Sequence, residues 1–372
     1  MVYLDNAATT YPKPKCVYDA LIRSLHDAPG NPGRSAHKYS VRAAEAVYAC
    51  REAVASLLGA ENPEGVVFTY NATYALNLAI KSYIEPGTHV LVSDIEHNAV
   101  IRPLEQMKAA GLIDYSVFNT DGDVESSIGS LIKKNTTAII SSNASNVTGK
   151  IIPLEKLSRA AKSGGLILIV DASQSIGHYE INLSKTPCDV ICGPGHKGLF
   201  GIQGVGFAVF SDIVRRKSWV EGGSGVESIN TKMPKYLPEG YEGGTLGTPA
   251  ICSLRGGIEY ISKIGIRTIE EKLEYLTGGL YERLNSINGI KIYSSGNGIV
   301  LFNFKDLPSS KTAELLDNEN VFVRSGLHCA PSAHRLIGTL ERGAVRASLS
   351  ALNTINELDE VYSVLKYISN IY

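Results

Sequence analysis

A chain of 372 residues and 40.0 kDa, 44% hydrophobic and 20% charged, is neither a disordered segment nor a small disulfide scaffold, and it has room for two packed lobes. Its 36 Lys and Arg offset 37 Asp and Glu to a formal charge of -1, with no basic run dense enough to grip a phosphate backbone, so no nucleic acid partner is expected. Asp5 falls inside what would be the apolar part of a signal peptide, and the longest aliphatic stretch is residues 166–170, where a membrane span needs roughly twenty; a cytoplasmic chain with no membrane partner is expected.

Residues 37–58 are Ala-rich, carry apolar positions at helical spacing and stop at Gly59, which predicts a helix; 66–70 reads as a strand and 74–83 as a helix. Strand-like runs follow at 89–93, 115–118, 138–142, 166–170, 189–192 and 204–210, mostly separated by helical stretches such as 100–110 and 154–162. Short apolar strands alternating with helices predict an α/β fold with a mainly parallel sheet covered on both faces. Past Pro249 come two long helices at 251–264 and 268–287, short strands at 290–293, 299–304 and 344–347, and a closing helix from Ile355. The predicted division is a large α/β domain over 15–250 and a smaller α+β domain made of 1–14 and 251–372.

Ligands of open α/β sheets gather beyond the carboxyl ends of the strands, so those loops are where chemistry is expected. After Tyr70, the run Asn71-Ala72-Thr73 opens a helix, either as a plain N-cap or as a cradle of N–H groups and a hydroxyl for a phosphate. The loop Glu96-His97-Asn98 offers an aromatic ring that would otherwise be a surface histidine, and 143–149, containing Asn146, is either an Asx turn or an amide donor. The strand LILIV runs into Asp171-Ala172-Ser173-Gln174, and a carboxylate at the end of a buried strand needs a partner. Gly193-Pro194-Gly195-His196-Lys197-Gly198 matches GxGxxG, but more glycines and a strand follow where a dinucleotide site needs a helix. Glycines around Lys197 instead suit an amine presented from a tight turn, as an imine-forming lysine requires, although most lysines are surface groups. Pyridoxal 5'-phosphate uses the whole set: a lysine for its aldehyde, N–H donors for its phosphate, a ring to stack on, a donor for its phenolic oxygen and a carboxylate for its pyridine nitrogen.

These motifs resemble those of the class V aminotransferases and, within them, the cysteine desulfurase and selenocysteine lyase family, over essentially the whole chain. The resemblance implies fold type I. It also implies a Schiff-base role for Lys197 of GHK, stacking by His97 of EHN, ring-nitrogen and phenolic contacts from Asp171 and Gln174 of VDxxQ, and support from Asn146 of SNxxG. Ala72, Thr73 and His196 fall in the phosphate segments, and Thr245 of Gly243-Gly244-Thr245 would complete the phosphate site of a second subunit in a homodimer. Cys329 in RSGLHCA matches the family's sulfur-accepting cysteine, and Arg346 offers a fork for an amino-acid carboxylate or, equally, for a structural ion pair. The short RSGLHCA segment is similar to the group II, SufS-like branch. It departs from that pattern at Ala72, at Pro194, where a phosphate-binding serine is usual, and at Leu327, where the first of two histidines is usual. The implied activity converts L-cysteine to alanine with a persulfide on Cys329 for a sulfur acceptor; selenocysteine lyase or another β-lyase of the superfamily is the alternative. Six scattered cysteines without a CxxC pair give no metal site and no disulfide framework, and Cys50, Cys188 and Cys192 read as packing.

Overall fold

Valine and isoleucine, which suit a pleated surface buried on both sides, dominate the central strands of the computed structural model, which describes residues 1–33, 36–212, 217 and 220–371. In chain order the first part holds β1 (Val2–Tyr3), α1 (Lys15–Asp27), α2 (Lys38–Leu58), β2 (Val66–Thr69), α3 (Ala72–Tyr83), β3 (Thr88–Ser93), α4 (Asn98–Ala109) and β4 (Ile113–Phe118). It continues with α5 (Val124–Leu131), β5 (Thr136–Ser142), α6 (Leu154–Gly164), β6 (Ile167–Asp171), β7 (Val190–Pro194) and β8 (Gly206–Phe210). These make a 7-stranded sheet of order β2-β8-β7-β6-β5-β3-β4, in which only β8 runs against its neighbours. Strand alternation sends Leu168 and Val170 to one apolar layer and Ile169 to the other, so both faces are covered.

The remainder comprises α7 (Thr248–Ile264), α8 (Ile266–Asn285), β9 (Ile290–Gly296), β10 (Ile299–Phe304), α9 (Ser309–Asn318), β11 (Val321–Phe322), β12 (Arg324–Gly326), α10 (Pro331–Leu336), β13 (Ala344–Ser348) and α11 (Ile355–Ile371). Strands β12-β13-β10-β9 form a 4-stranded antiparallel sheet, and β1 pairs in parallel with β11. Gly149 joins the two sheets: at φ +69 it lies so close to Gly296 that an added Cβ would sit 1.9 Å from that carbonyl oxygen. Helices α1, α5, α9 and α10 lie outside the expected elements although α1 is clearly amphipathic, and α3 starts at Ala72, two residues early, because Asn71 Oδ1 accepts the Tyr74 N–H at 3.1 Å and caps it. Among the described residues no helix is long and apolar enough to cross a membrane.

Candidate active site

Because β2, β3, β5, β6 and β7 run the same way, their carboxyl ends meet at one edge of the 7-stranded sheet. A cavity of about 540 Å³, partly open to solvent, lies there, lined by Ala72, Thr73, His97, Asn146, Asp171, Gln174, His196 and Lys197. Pro194 lines it too and brings no N–H, in keeping with a lost donor at that position.

Each strand end aims its residue through local hydrogen bonds. Asp171 closes β6 with 5% of its surface exposed and accepts the Ser173 N–H at 2.9 Å. Beyond β7 the chain folds tightly, with Phe200 N–H donating to the Lys197 carbonyl at 2.8 Å and Gly201 N–H to that of Gly195 at 2.8 Å. Lys197 keeps some accessible surface inside the cavity, yet the protein around it excludes bulk water. Desolvation therefore lowers its ammonium to about 8, with Arg346 and Arg324 adding to the effect and Asp171 opposing it. His97 caps α4 through Nδ1, which accepts the Ala99 N–H at 3.0 Å and leaves the ring neutral with its proton on Nε2; burial lowers it to about 4.

The N-terminus of α3 opens on the cavity. Asn71 satisfies Tyr74, so the N–H groups of Ala72 and Thr73 remain for a ligand. Gly206 of β8 crosses directly behind, where a Cβ would meet Asn71 at 2.4 Å, so only glycine lets the sheet and the helix end approach. His196 lines the same cavity; its Nδ1 is buried with no hydrogen-bond partner, and burial together with Lys197 and Lys13 lowers its ring to about 4. An orphaned imidazole nitrogen, free helix N–H groups, a desolvated amine and a sunken carboxylate are the donor set that pyridoxal phosphate requires, so the residues present fit that group.

Three expected residues stand outside the cavity. Arg346 is 1% exposed in β13; Nη2 pairs with Asp5 Oδ1 at 2.8 Å, Nη1 donates to the Asn146 carbonyl at 2.9 Å, and Nε is buried without a partner. The ion-pair alternative for this arginine is therefore realised by Asp5. Cys329 lies between β12 and α10 with its side chain exposed, and Arg324 Nη2 approaches Sγ at 3.9 Å. Its carbonyl accepts the N–H of Asn98, the residue after His97, at 2.8 Å. Thr245 accepts from Asn31 Nδ2 at 3.2 Å and lines a separate hollow with Tyr70 and Tyr74. All six cysteines are free, and burial pushes the Cys50, Cys188 and Cys192 thiols up.

Sequence reasoning missed the supports. Glu96, fully buried, accepts the Ser142 N–H at 2.6 Å and the Ser142 hydroxyl at 2.9 Å and also binds the Ser93 hydroxyl, locking the ends of β3 and β5; burial raises it to about 8, against the pull of those donors. The early segment spans the site: Gln174 Nε2 donates to the Ala7 carbonyl at 3.0 Å, Thr10 Oγ1 to that of Lys197 at 2.6 Å and Lys13 Nζ to that of His196 at 2.9 Å. Its only sequence signal was polarity, in the Asp5 that broke the apolar start.

This architecture is fold type I of the pyridoxal-phosphate-dependent enzymes. The chain belongs to the aminotransferase class-V family, whose model matches residues 2–361 and whose members generally use pyridoxal phosphate. A probable cysteine desulfurase of Methanothermobacter thermautotrophicus is 32% identical over 99% of this chain and 94% of its own length. One from Pyrococcus abyssi is 30% identical over 98% and 94%. The apo structure of the cysteine desulfurase from Thermococcus onnurineus NA1 matches with a TM-score of 0.92 at 28% identity, covering 100% of this chain and 95% of that one.

Proposed function

We propose that this chain is a pyridoxal-phosphate-dependent cysteine desulfurase that turns L-cysteine into L-alanine and holds the sulfur on Cys329 as a persulfide for an acceptor. The observation that carries this reading is that the backbone of Cys329, whose side chain is exposed, accepts the N–H of Asn98, the residue after His97, which lines the same cavity as the desolvated Lys197. Lys197 would hold the cofactor's aldehyde carbon, Ala72, Thr73 and His196 its phosphate, His97 its ring face, Asp171 its ring nitrogen, and Gln174 with Asn146 its phenolic oxygen. When bound, the group supplies the electron sink that lets the Cα–H bond of an amino acid break.

The chain's own side chains do the rest. Lys197, lowered to about 8, is partly neutral near neutral pH and takes the α-proton on Nζ. Arg346 orients the substrate carboxylate once Asp5 shares the guanidinium. The Cys329 sulfur bonds to the substrate sulfur as the C–S bond breaks; the carbon gains a proton and becomes the methyl group of alanine, and the thiol becomes a persulfide. Thr245 would serve the cavity of a second copy in a homodimer, which accounts for its place away from its own chain's Lys197. The domain split at about residue 250, with residues 1–14 joined to the smaller part, belongs to the same proposal, as does a cytoplasmic site of action.

The test is Cys329→Ser. It should retain the cofactor's visible absorbance and lose alanine and sulfide release at least about a hundredfold, with no persulfide on the protein. Release of alanine at the wild-type rate would sink the reading and favour a lyase that does not use the thiol, selenocysteine lyase included.

A further inference from the structure

His328 and Cys329 occupy the left-handed region in succession, at φ +51 and +57, without being glycine. The Ala330 N–H closes this turn on the Leu327 carbonyl at 2.9 Å, and groups from other parts of the chain brace the two strained residues from both sides. Above the turn, the His328 carbonyl accepts from Asn146 Nδ2 at 2.7 Å and the Cys329 carbonyl from Asn98 N–H at 2.8 Å. Below it runs a chain of buried polar side chains that the desulfurase chemistry does not use. His328 Nε2 lies 3.2 Å from the Arg324 carbonyl, His328 Nδ1 lies 3.0 Å from His334 Nε2, and His334 Nδ1 lies 2.7 Å from Thr339 Oγ1.

The direction of every link follows from the first. A carbonyl only accepts, so His328 carries its proton on Nε2 and its Nδ1 accepts. His334 must then donate from Nε2, and its Nδ1 accepts the Thr339 hydroxyl proton. That hydroxyl also lies 3.4 Å from the His334 carbonyl, which the Thr339 N–H already occupies at 2.9 Å. Both rings are thereby neutral and single-tautomer, with 3% and 0% of their surface exposed. Arg346 and Arg324, the charged groups facing His328, and Arg346 facing His334 oppose protonation, as burial does.

We propose that His334 and Thr339 are positioning residues for the sulfur-accepting thiol: through His328 they hold the turn in the left-handed form that presents Cys329. The inference rests on the desulfurase reading. An apolar residue at position 334 would leave His328 Nδ1 buried and unpaired, and the ring would turn to find a partner, carrying the Cys329 backbone with it.

The test compares His334→Leu, His334→Gln and Thr339→Val as holoenzymes, with melting temperature and cofactor absorbance as folding controls. His334→Leu should lower kcat for alanine formation by about tenfold or more while KM for cysteine stays within about twofold. The rate at which iodoacetamide labels Cys329 should change by about fivefold or more in the same variant. His334→Gln, whose amide nitrogen reaches about as far as Nε2 and still donates, should recover both readouts to within about threefold. Thr339→Val, which frees the second ring, should fall between them. If His334→Gln is no better than His334→Leu, the ring acts by shape and the proposal fails; wild-type kcat and labelling in both His334→Leu and Thr339→Val would overturn it as well. Should His334→Leu not fold, Thr339→Val and His334→Gln decide. A wild-type protein that makes no alanine from cysteine sinks the desulfurase reading alone, and the labelling rates still decide whether His334 and Thr339 hold the turn.

Discussion

The edge of the 7-stranded sheet and the turn that carries Cys329 are built by opposite means. At the sheet edge, Asp171 ends β6, Thr73 and His97 sit at the starts of α3 and α4, and Lys197 follows β7 in a tight turn; each has a hydrogen bond to a residue two to four positions away, and the early segment adds Thr10 on the Lys197 carbonyl. At the turn, Cys329 sits in a strained backbone held by Asn146, Asn98 and a histidine pair, the first of these 182 residues distant from His328. Each left-handed non-glycine residue costs about 1–2 kcal/mol, which the turn's own Ala330–Leu327 hydrogen bond and those outside contacts together offset. The residues proposed to hold the cofactor thus lie on or just beyond the ends of regular elements, whereas the proposed sulfur-accepting residue lies on a strained turn.

Lys197→Ala breaks the first region and spares the second. Desulfuration should fall by about a thousandfold or more, while iodoacetamide labels Cys329 at the wild-type rate. If labelling changed as much as turnover, the two regions would be one unit. Arg346→Ala acts on the seam between them. The cysteine concentration for half-maximal rate should rise by tens to about a hundredfold, and the melting temperature should drop as well, because Asp5 and the Asn146 carbonyl lose their shared cation. A shift in KM without a loss of stability would mean that the Asp5 pair holds nothing together.

The smallest effect is on acid stability, where both regions contribute. Burial lowers His97, His178, His196 and His334 to about 4 and His328 to about 3. Below pH 6.5 the unfolded chain takes up protons that the folded chain refuses, so stability is complete above that pH and lost as it falls toward 4. Burial lowers His89 as well, and Glu96, Glu242 and Glu270, all raised by burial, pull the other way, but they are three carboxyls against six rings. Thermal melts at pH 7, 6 and 5 should show a progressive fall of several degrees; a flat profile would mean that these rings are hydrated in solution.

The same contrast explains what could be read from the residues alone. LILIV followed by Asp171, or Asn71 ahead of an apolar helix, declares itself because strand period and cap chemistry are local, and the loops at the sheet edge were identified on that ground. Resemblance was needed to single out Cys329 among six cysteines. Asp5, Glu96, His334 and Thr339 escaped because their partners are set by tertiary packing: no spacing in sequence relates Asp5 to Arg346, and a histidine on a 6-residue helix shows no period.

The early segment carries a consequence for biosynthesis. Asn6 donates to the carbonyl of Ser348, 342 residues later, and Val2 pairs with Val321. At ribosomal rates of about 5–20 residues per second, these residues wait roughly 20–70 s for their partners to emerge. Until then Asp5 has no Arg346 and Asn6 no Ser348, so the segment that also reaches Gln174 and Lys197 lacks its anchor on the smaller sheet. The newborn chain can finish its large sheet long before the cavity is closed, so the ability to work arrives as a late, single event after the last strand is made.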